Sequence, residues 1–126
     1  MKSTRKTKVS YIPKVIDWAG ARGFEEIRAA LPDNDEYEKP ISYDRQTDDQ
    51  SFVPDVTGKL MHEKSYFEVV MKTDKIDRLI SKLKLMSVLA ARREGNLYVM
   101  APRGHYQFAK EIVYENQITA ELVRLT

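Results

Sequence analysis

Apolar residues follow two rhythms along this chain of 126 residues. Ile76, Leu79, Ile80, Leu83, Met86, Leu89 and Ala90 step by three and four, the spacing that stacks side chains on one face of a helix. Thr73 and Asp74 offer its cap, and Asp77 falls in its first turn. Residues 51–57 and 65–72 are instead rich in aromatic and β-branched side chains and read as strands. The link between them opens at Gly58 and is short enough for a hairpin, so the two strands are expected to pair antiparallel. Nearer the amino terminus, Pro13 suits the first turn of a helix that carries Val15, Ile16 and Trp18 and is interrupted by Gly20 and Gly23. Phe24, Ile27, Ala30 and Leu31 again recur at helical spacing, which predicts a second helical piece ending near Pro32. A loop over residues 32–40, a short strand over 41–45 and a polar turn over 46–50 follow. Beyond the long helix, Gly95-Asn96 is expected to end it, residues 97–101 to form a strand, and residues 105–114 another helix. Strand, helix, strand in that order implies a right-handed parallel crossover. Residues 118–125 fit either a helix or an alternating strand. The fold class expected is α/β: helix, three strands, helix, strand, helix, with a mixed central sheet flanked by helices.

This length suits one domain, placed at residues 10–126 behind a basic, mobile tail over 1–9. The net charge of +2 says little, but the charges are segregated. Lys2, Arg5, Lys6 and Lys8 crowd the start, whereas Asp33, Asp35, Glu36, Glu38, Asp44, Asp48 and Asp49 crowd the stretch before Pro54. With no cysteine, disulfides, thiolate zinc sites and a cysteine nucleophile are all excluded. No apolar run approaches the roughly 18 residues of a membrane span, and an intracellular, cytoplasmic protein without a membrane partner is expected. The sequence contains neither a glycine-rich phosphate loop nor a serine triad, which removes ATP hydrolysis and acyl transfer.

Chemistry concentrates in Pro54-Asp55 and in the run Tyr66-Phe67-Glu68-Val69-Val70-Met71-Lys72. Strand alternation puts Tyr66, Glu68, Val70 and Lys72 on one face, and a hairpin can bring Asp55 beside them. Two carboxylates on neighbouring strands suit Mg²⁺, a hard ion that binds oxygen and keeps several waters. A lysine beside them can orient an attacking water and offset phosphate charge. Lys75, Arg78 and Lys82 line one side of the long helix and could meet DNA phosphates, as could Lys14, Arg22 and Arg28 near the first helix. Arg103 and His105 lie at the carboxyl end of a strand, where open sheets commonly bind ligands. His62, the other histidine, falls in the hairpin link.

Together the Pro-Asp, the acid–lysine strand and the element order resemble the PD-(D/E)XK nuclease superfamily, which includes type II restriction enzymes and Holliday-junction resolvases. The likeness covers residues from about 10 to 115. It implies a restriction-endonuclease-like core and a Mg²⁺- or Mn²⁺-dependent endonuclease acting on DNA, with Asp55 and Glu68 on the metal and Lys72 serving the water. A glutamate on the first helix often assists in that family, and Glu25 or Glu26 is the counterpart implied. Small members are often dimeric, so a homodimer or a larger protein complex is also implied. The motif is displaced: the family's second acid lies two residues before the lysine, whereas here Val70 holds that place and Glu68 lies four before Lys72, a shift of about 6.6 Å. Two further readings remain open: the same fold without catalysis, as a nucleic-acid-binding or assembly subunit of a phage, mobile-element or repair complex, and an unrelated α/β interaction domain.

Overall fold

A computed structural model describes residues 8–32, 36–44 and 51–126, without the side chains of Asp44 and Ser51. Lys2, Arg5 and Lys6, the acidic Asp33, Asp35, Asp48 and Asp49, and the polar turn expected over 46–50 lie outside the described residues.

The chain is α/β, as expected. Helix α1 (Ile12–Ala21) turns Ile12, Val15, Ile16 and Ala19 inward, with Pro13 in its first turn. Arg22 caps it, and Gly23 at φ +89° redirects the chain, a conformation that glycine adopts without a Cβ penalty. The next segment is not the second helical piece expected but strand β1 (Glu25–Ala29). Glu26 at φ +49° sits in a register irregularity between Glu25 and Arg28. The extra residue of such a bulge moves Phe24 and Ile27 onto the same face, so an irregular strand reproduces the three-residue step of a helix.

Strands β2 (Tyr43–Asp44) and β3 (Ser51–Phe52) form a separate two-stranded ribbon. The single strand expected over 51–57 is therefore interrupted. Pro54 has no N–H for a ladder, and a second strand, β4 (Val56–Leu60), begins after Asp55. Gly58 lies inside β4, where a Cβ would stand 3.4 Å from that of Phe24. The turn comes later, at Met61-His62. Strand β5 (Glu63–Val69) then returns antiparallel to β4, as expected for a hairpin, pairing Val56 with Phe67 and Gly58 with Ser65.

Helix α2 (Ile76–Arg92) matches the periodicity of its sequence and buries Leu83, Met86 and Ala90. It ends at Arg93. Glu94, at φ +59°, turns directly into strand β6 (Glu94–Ala101), so Gly95 and Asn96 belong to the strand and do not stop the helix. Helix α3 (Tyr106–Glu115) follows Gly104 at φ +87°, and the undecided tail resolves as strand β7 (Glu121–Arg124). Beyond the strands foreseen, β1 and β7 complete a five-stranded sheet of order β1-β4-β5-β6-β7. Pairings are antiparallel from β1 to β5 and parallel from β5 to β7.

Central β5 is buried on both faces, which explains its nearly unbroken apolar character. Tyr66 and Val70 face Leu83, Met86 and Ala90 of α2 and Ala109, Ile112 and Val113 of α3. Phe67 and Val69 face α1. On that side the Phe67 and Tyr98 rings stack at 4.9 Å, and Phe24 meets Phe67 edge-on at 5.2 Å. Fully burying a side chain such as Phe67 or Leu83 contributes roughly 1.5–3 kcal/mol, and these two layers clamp β5 between them.

Where β5 meets β6 the register shifts between Lys64 and Tyr66, and Gly95 sits in that irregularity. A Cβ at Gly95 would stand 1.9 Å from the Lys64 carbonyl oxygen. Gly95→Ala should therefore cost about 1–3 kcal/mol through backbone displacement. Gly20→Ala, within α1 and with nothing within 4 Å of its Cβ, should stabilise by about 0.5–1 kcal/mol. Urea unfolding of the two variants checks both signs.

Candidate active site

The β4–β5 ladder ends at the pair Val56 and Phe67. One residue further, Asp55 and Glu68 stand opposite each other, and their carboxylates replace the missing ladder bonds. The Asp55 backbone N–H donates to Glu68 Oε1 at 3.1 Å, and the Val69 N–H donates to Asp55 Oδ2 at 2.8 Å. The Asp55 carbonyl in turn accepts from the Ala30 N–H at 2.8 Å. Pro54-Asp55 is thus cross-braced to its neighbours on both sides, so the acids are held by backbone and not by flexible side-chain packing alone.

Both acids are buried, Glu68 completely. Burying ionised carboxylates is costly unless cations accompany them, and two lysines do. Lys8 Nζ lies 3.0 Å from Asp55 Oδ2 and 2.6 Å from Glu68 Oε2. Lys82 Nζ, from α2, lies 2.5 Å from the same Glu68 oxygen. Two acids and two ammonium groups make a tetrad of zero formal charge.

Burial alone would raise the Glu68 pKa, but the charges of Lys8 and Lys82 outweigh it and hold the carboxyl down at about 2. Asp55 is pushed up to about 6, first by burial and then by the Glu68 charge, with Lys8 offsetting only part. Burial opposes the charge on Lys8, yet Glu68 and Asp55 overcome it and raise its pKa. A proton taken up by the pair therefore goes to Asp55.

Asp55 and Glu68 are brought together as the sequence suggested; Lys72 is not. Strand β5 ends at Val69, and the Val70 N–H goes to the Met100 carbonyl. Lys72 lies beyond that end, exposed, with its backbone N–H donating to His105 Nδ1 at 2.9 Å. His105 is the residue preceding α3, and its pKa is lowered by burial and by the Lys72 charge. Arg103 is exposed in the turn before it. Glu25 and Glu26 lie on β1 and not on the first helix, because the segment is a strand. Both are exposed, Glu25 pairs with Lys59 in the last part of β4, and Glu26 lies 3.7 Å from Lys59, well along the strand from Asp55. Lys75 and Arg78 are exposed at the start of α2, Arg78 over the Phe52 ring at 4.9 Å. Lys82, one turn further, points inward to Glu68.

Lys82 carried a readable signal: it precedes buried Leu83 and lies four residues before buried Met86, at the border of the apolar stripe. Lys8 carried none beyond its place in a basic run. The structure instead draws Lys8, in the segment leading into α1, into the acids.

Among the described residues no three His, Cys, Asp or Glu side chains gather as a metal group. The fit of a single hard cation is still testable, because the Lys8 ammonium touches both acids and marks a place from which a cation reaches Asp55 and Glu68 together. Two carboxylate oxygens with water completing the shell suit a Mg²⁺-like ion, in exchange for Lys8. Compared with protein-family models, curated proteins and solved structures, the chain shows no match. No helix among the described residues is long and apolar enough to cross a membrane.

The two acids impose opposite pH dependences on stability. Glu68, lowered from 4.5, contributes stability that is complete above that pH and is lost as pH falls toward about 2. Asp55, raised from 3.8 to about 6, takes up its proton in the folded protein first, so it adds stability as pH falls through that interval and withholds it above. The unfolding free energy of the wild type relative to Asp55→Asn should therefore grow as pH is lowered from about 6 to about 4, measured by urea denaturation. A difference that stays flat over this range contradicts the assignment of the proton to Asp55.

Proposed function

We propose that this chain is a divalent-metal-dependent hydrolase of DNA phosphodiester bonds, built on a restriction-endonuclease-like core. The observation that carries the reading is the meeting of Asp55, at the entry to β4, with Glu68 on the adjacent β5, around a shared cation position with a lysine at its side. What supports that core is the run α1, β1, β4, β5, α2, β6 with strand order β1-β4-β5-β6, in which β1 stands in for the strand expected over 41–45, a stretch whose β2 lies in a separate ribbon. The β2–β3 ribbon, α3 and β7 are additions to it.

In this reading Asp55 and Glu68 hold Mg²⁺ or Mn²⁺. When bound, such an ion supplies Lewis acidity toward the scissile phosphate. Lys82 takes the part that spacing suggested for Lys72: fixed on α2 beside Glu68, it positions the attacking water and offsets phosphate charge. The buried setting of the acids excludes bulk water and strengthens each of these electrostatic contacts. Lys75 and Arg78, exposed on earlier turns of α2, meet flanking phosphates. So small a domain leaves the rest of DNA recognition to a second copy or a larger partner.

The neutral, closed tetrad and the lack of a third acid among the described residues favour a second reading, in which the same fold binds nucleic acid or assembles a complex without cleaving. Nicking of plasmid and branched DNA in Mg²⁺ or Mn²⁺ separates the two. Asp55→Asn and Lys82→Ala should each lower the rate by about 100-fold or more, while Lys72→Ala leaves it unchanged. Equal nicking by all four proteins removes the hydrolase reading. DNA retention in a gel shift without nicking by any of them favours the second.

A further inference from the structure

Of the two lysines in the tetrad, only Lys8 bridges both acids. Lys82 contacts Glu68 alone and is carried by a helix of 17 residues packed on the sheet. Lys8 precedes α1, is tied locally by its carbonyl accepting from the Tyr11 N–H at 3.0 Å, and leaves about a quarter of its side chain open (23 %). Its ammonium lies within ion-pair distance of both carboxylates, a place from which one cation reaches Asp55 and Glu68 together. With Lys8 in place the acids and lysines sum to zero, whereas with Lys8 withdrawn Asp55, Glu68 and Lys82 leave one net negative charge to attract a divalent ion.

We infer that Lys8 is a built-in cation that occupies the metal position, so that Lys8 and a divalent ion exclude one another and loading requires the Lys8 side chain to withdraw. This regulation rests on Asp55 and Glu68 being metal ligands, as in the proposed function, but not on cleavage. Occupancy by Lys8 satisfies the buried acids without metal and keeps the pair ordered. Exchange replaces one positive charge by two at the same place, a gain that Lys82 then opposes as the nearest cation. The apparent affinity for metal is reduced by the fraction of molecules in which Lys8 is out.

The test uses the full chain and Mn²⁺, followed by the loss of the free-ion paramagnetic resonance signal. If Lys8 occupies the position in about nine molecules of ten, Lys8→Met should bind Mn²⁺ about tenfold more tightly than wild type. Lys8→Arg should remain weak, and Glu68→Gln added to Lys8→Met should abolish the gain. Equal Mn²⁺ affinity in wild type and Lys8→Met, or no binding by either, overturns the inference. Should Lys8→Met not fold, acetylation of wild-type Lys8 read by mass spectrometry decides: Mn²⁺ should accelerate it, and an unchanged rate overturns the inference. Tight Mn²⁺ binding by Lys8→Met without DNA cleavage removes the nuclease reading and supports this one. Equal binding in both proteins with Asp55-dependent cleavage does the reverse.

Discussion

Two carboxylates buried side by side constrain everything around them. Asp55 and Glu68 repel each other and lose hydration, and the fold offsets this by bringing Lys8 and Lys82 to hydrogen-bonding distance beside two backbone N–H donors. Removing one partner of such a buried ionic group costs about 3–5 kcal/mol, comparable to a large part of a small domain's whole stability. An assembly this demanding is not needed to close a sheet of this size. An apolar pair would do so at less cost, which is why the tetrad reads as a site.

Its precision comes from the backbone. The Asp55 N–H meets the Glu68 carboxylate and the Val69 N–H meets that of Asp55, so the acids continue the β4–β5 ladder by other means. Because β5 is clamped between an α1 layer and an α2–α3 layer, this junction has little freedom. The lysines arrive from opposite directions, one from α2 and one from the segment before α1. Rigid acids bridged by Lys8 and flanked by Lys82 form a centre whose charge, in the inference drawn above, is set by the position of the Lys8 side chain.

That balance bears on both functional readings. With Lys8 in, the tetrad is saturated and suits a binding or assembly role. In the proposed hydrolase, with Lys8 out, the acid pair holds the cation and Lys82, from α2, takes the part of the lysine. In that proposal, a lysine from α2 makes the spacing from Glu68 to Lys72 along the chain immaterial.

Local patterns were enough where local physics decided the outcome. The three–four periodicity of residues 76–90 marked α2, alternation marked β5 with Glu68 sharing a face with Tyr66 and Val70, and the Pro-Asp and the strand after it located the two acids. Patterns misled where a backbone irregularity altered the rhythm. The bulge at Glu26 made β1 look helical and moved Glu25 and Glu26 off the helix where an assisting acid was expected. Residues 118–125 had no decisive period, because whether β7 forms depends on the open edge of β6. Least legible were the cations. A lysine's partner is chosen by long side chains reaching across space, over 60 positions of sequence for Lys8 and Glu68. One-dimensional spacing therefore determined where the acids lie, while the tertiary structure decided which lysines answer them.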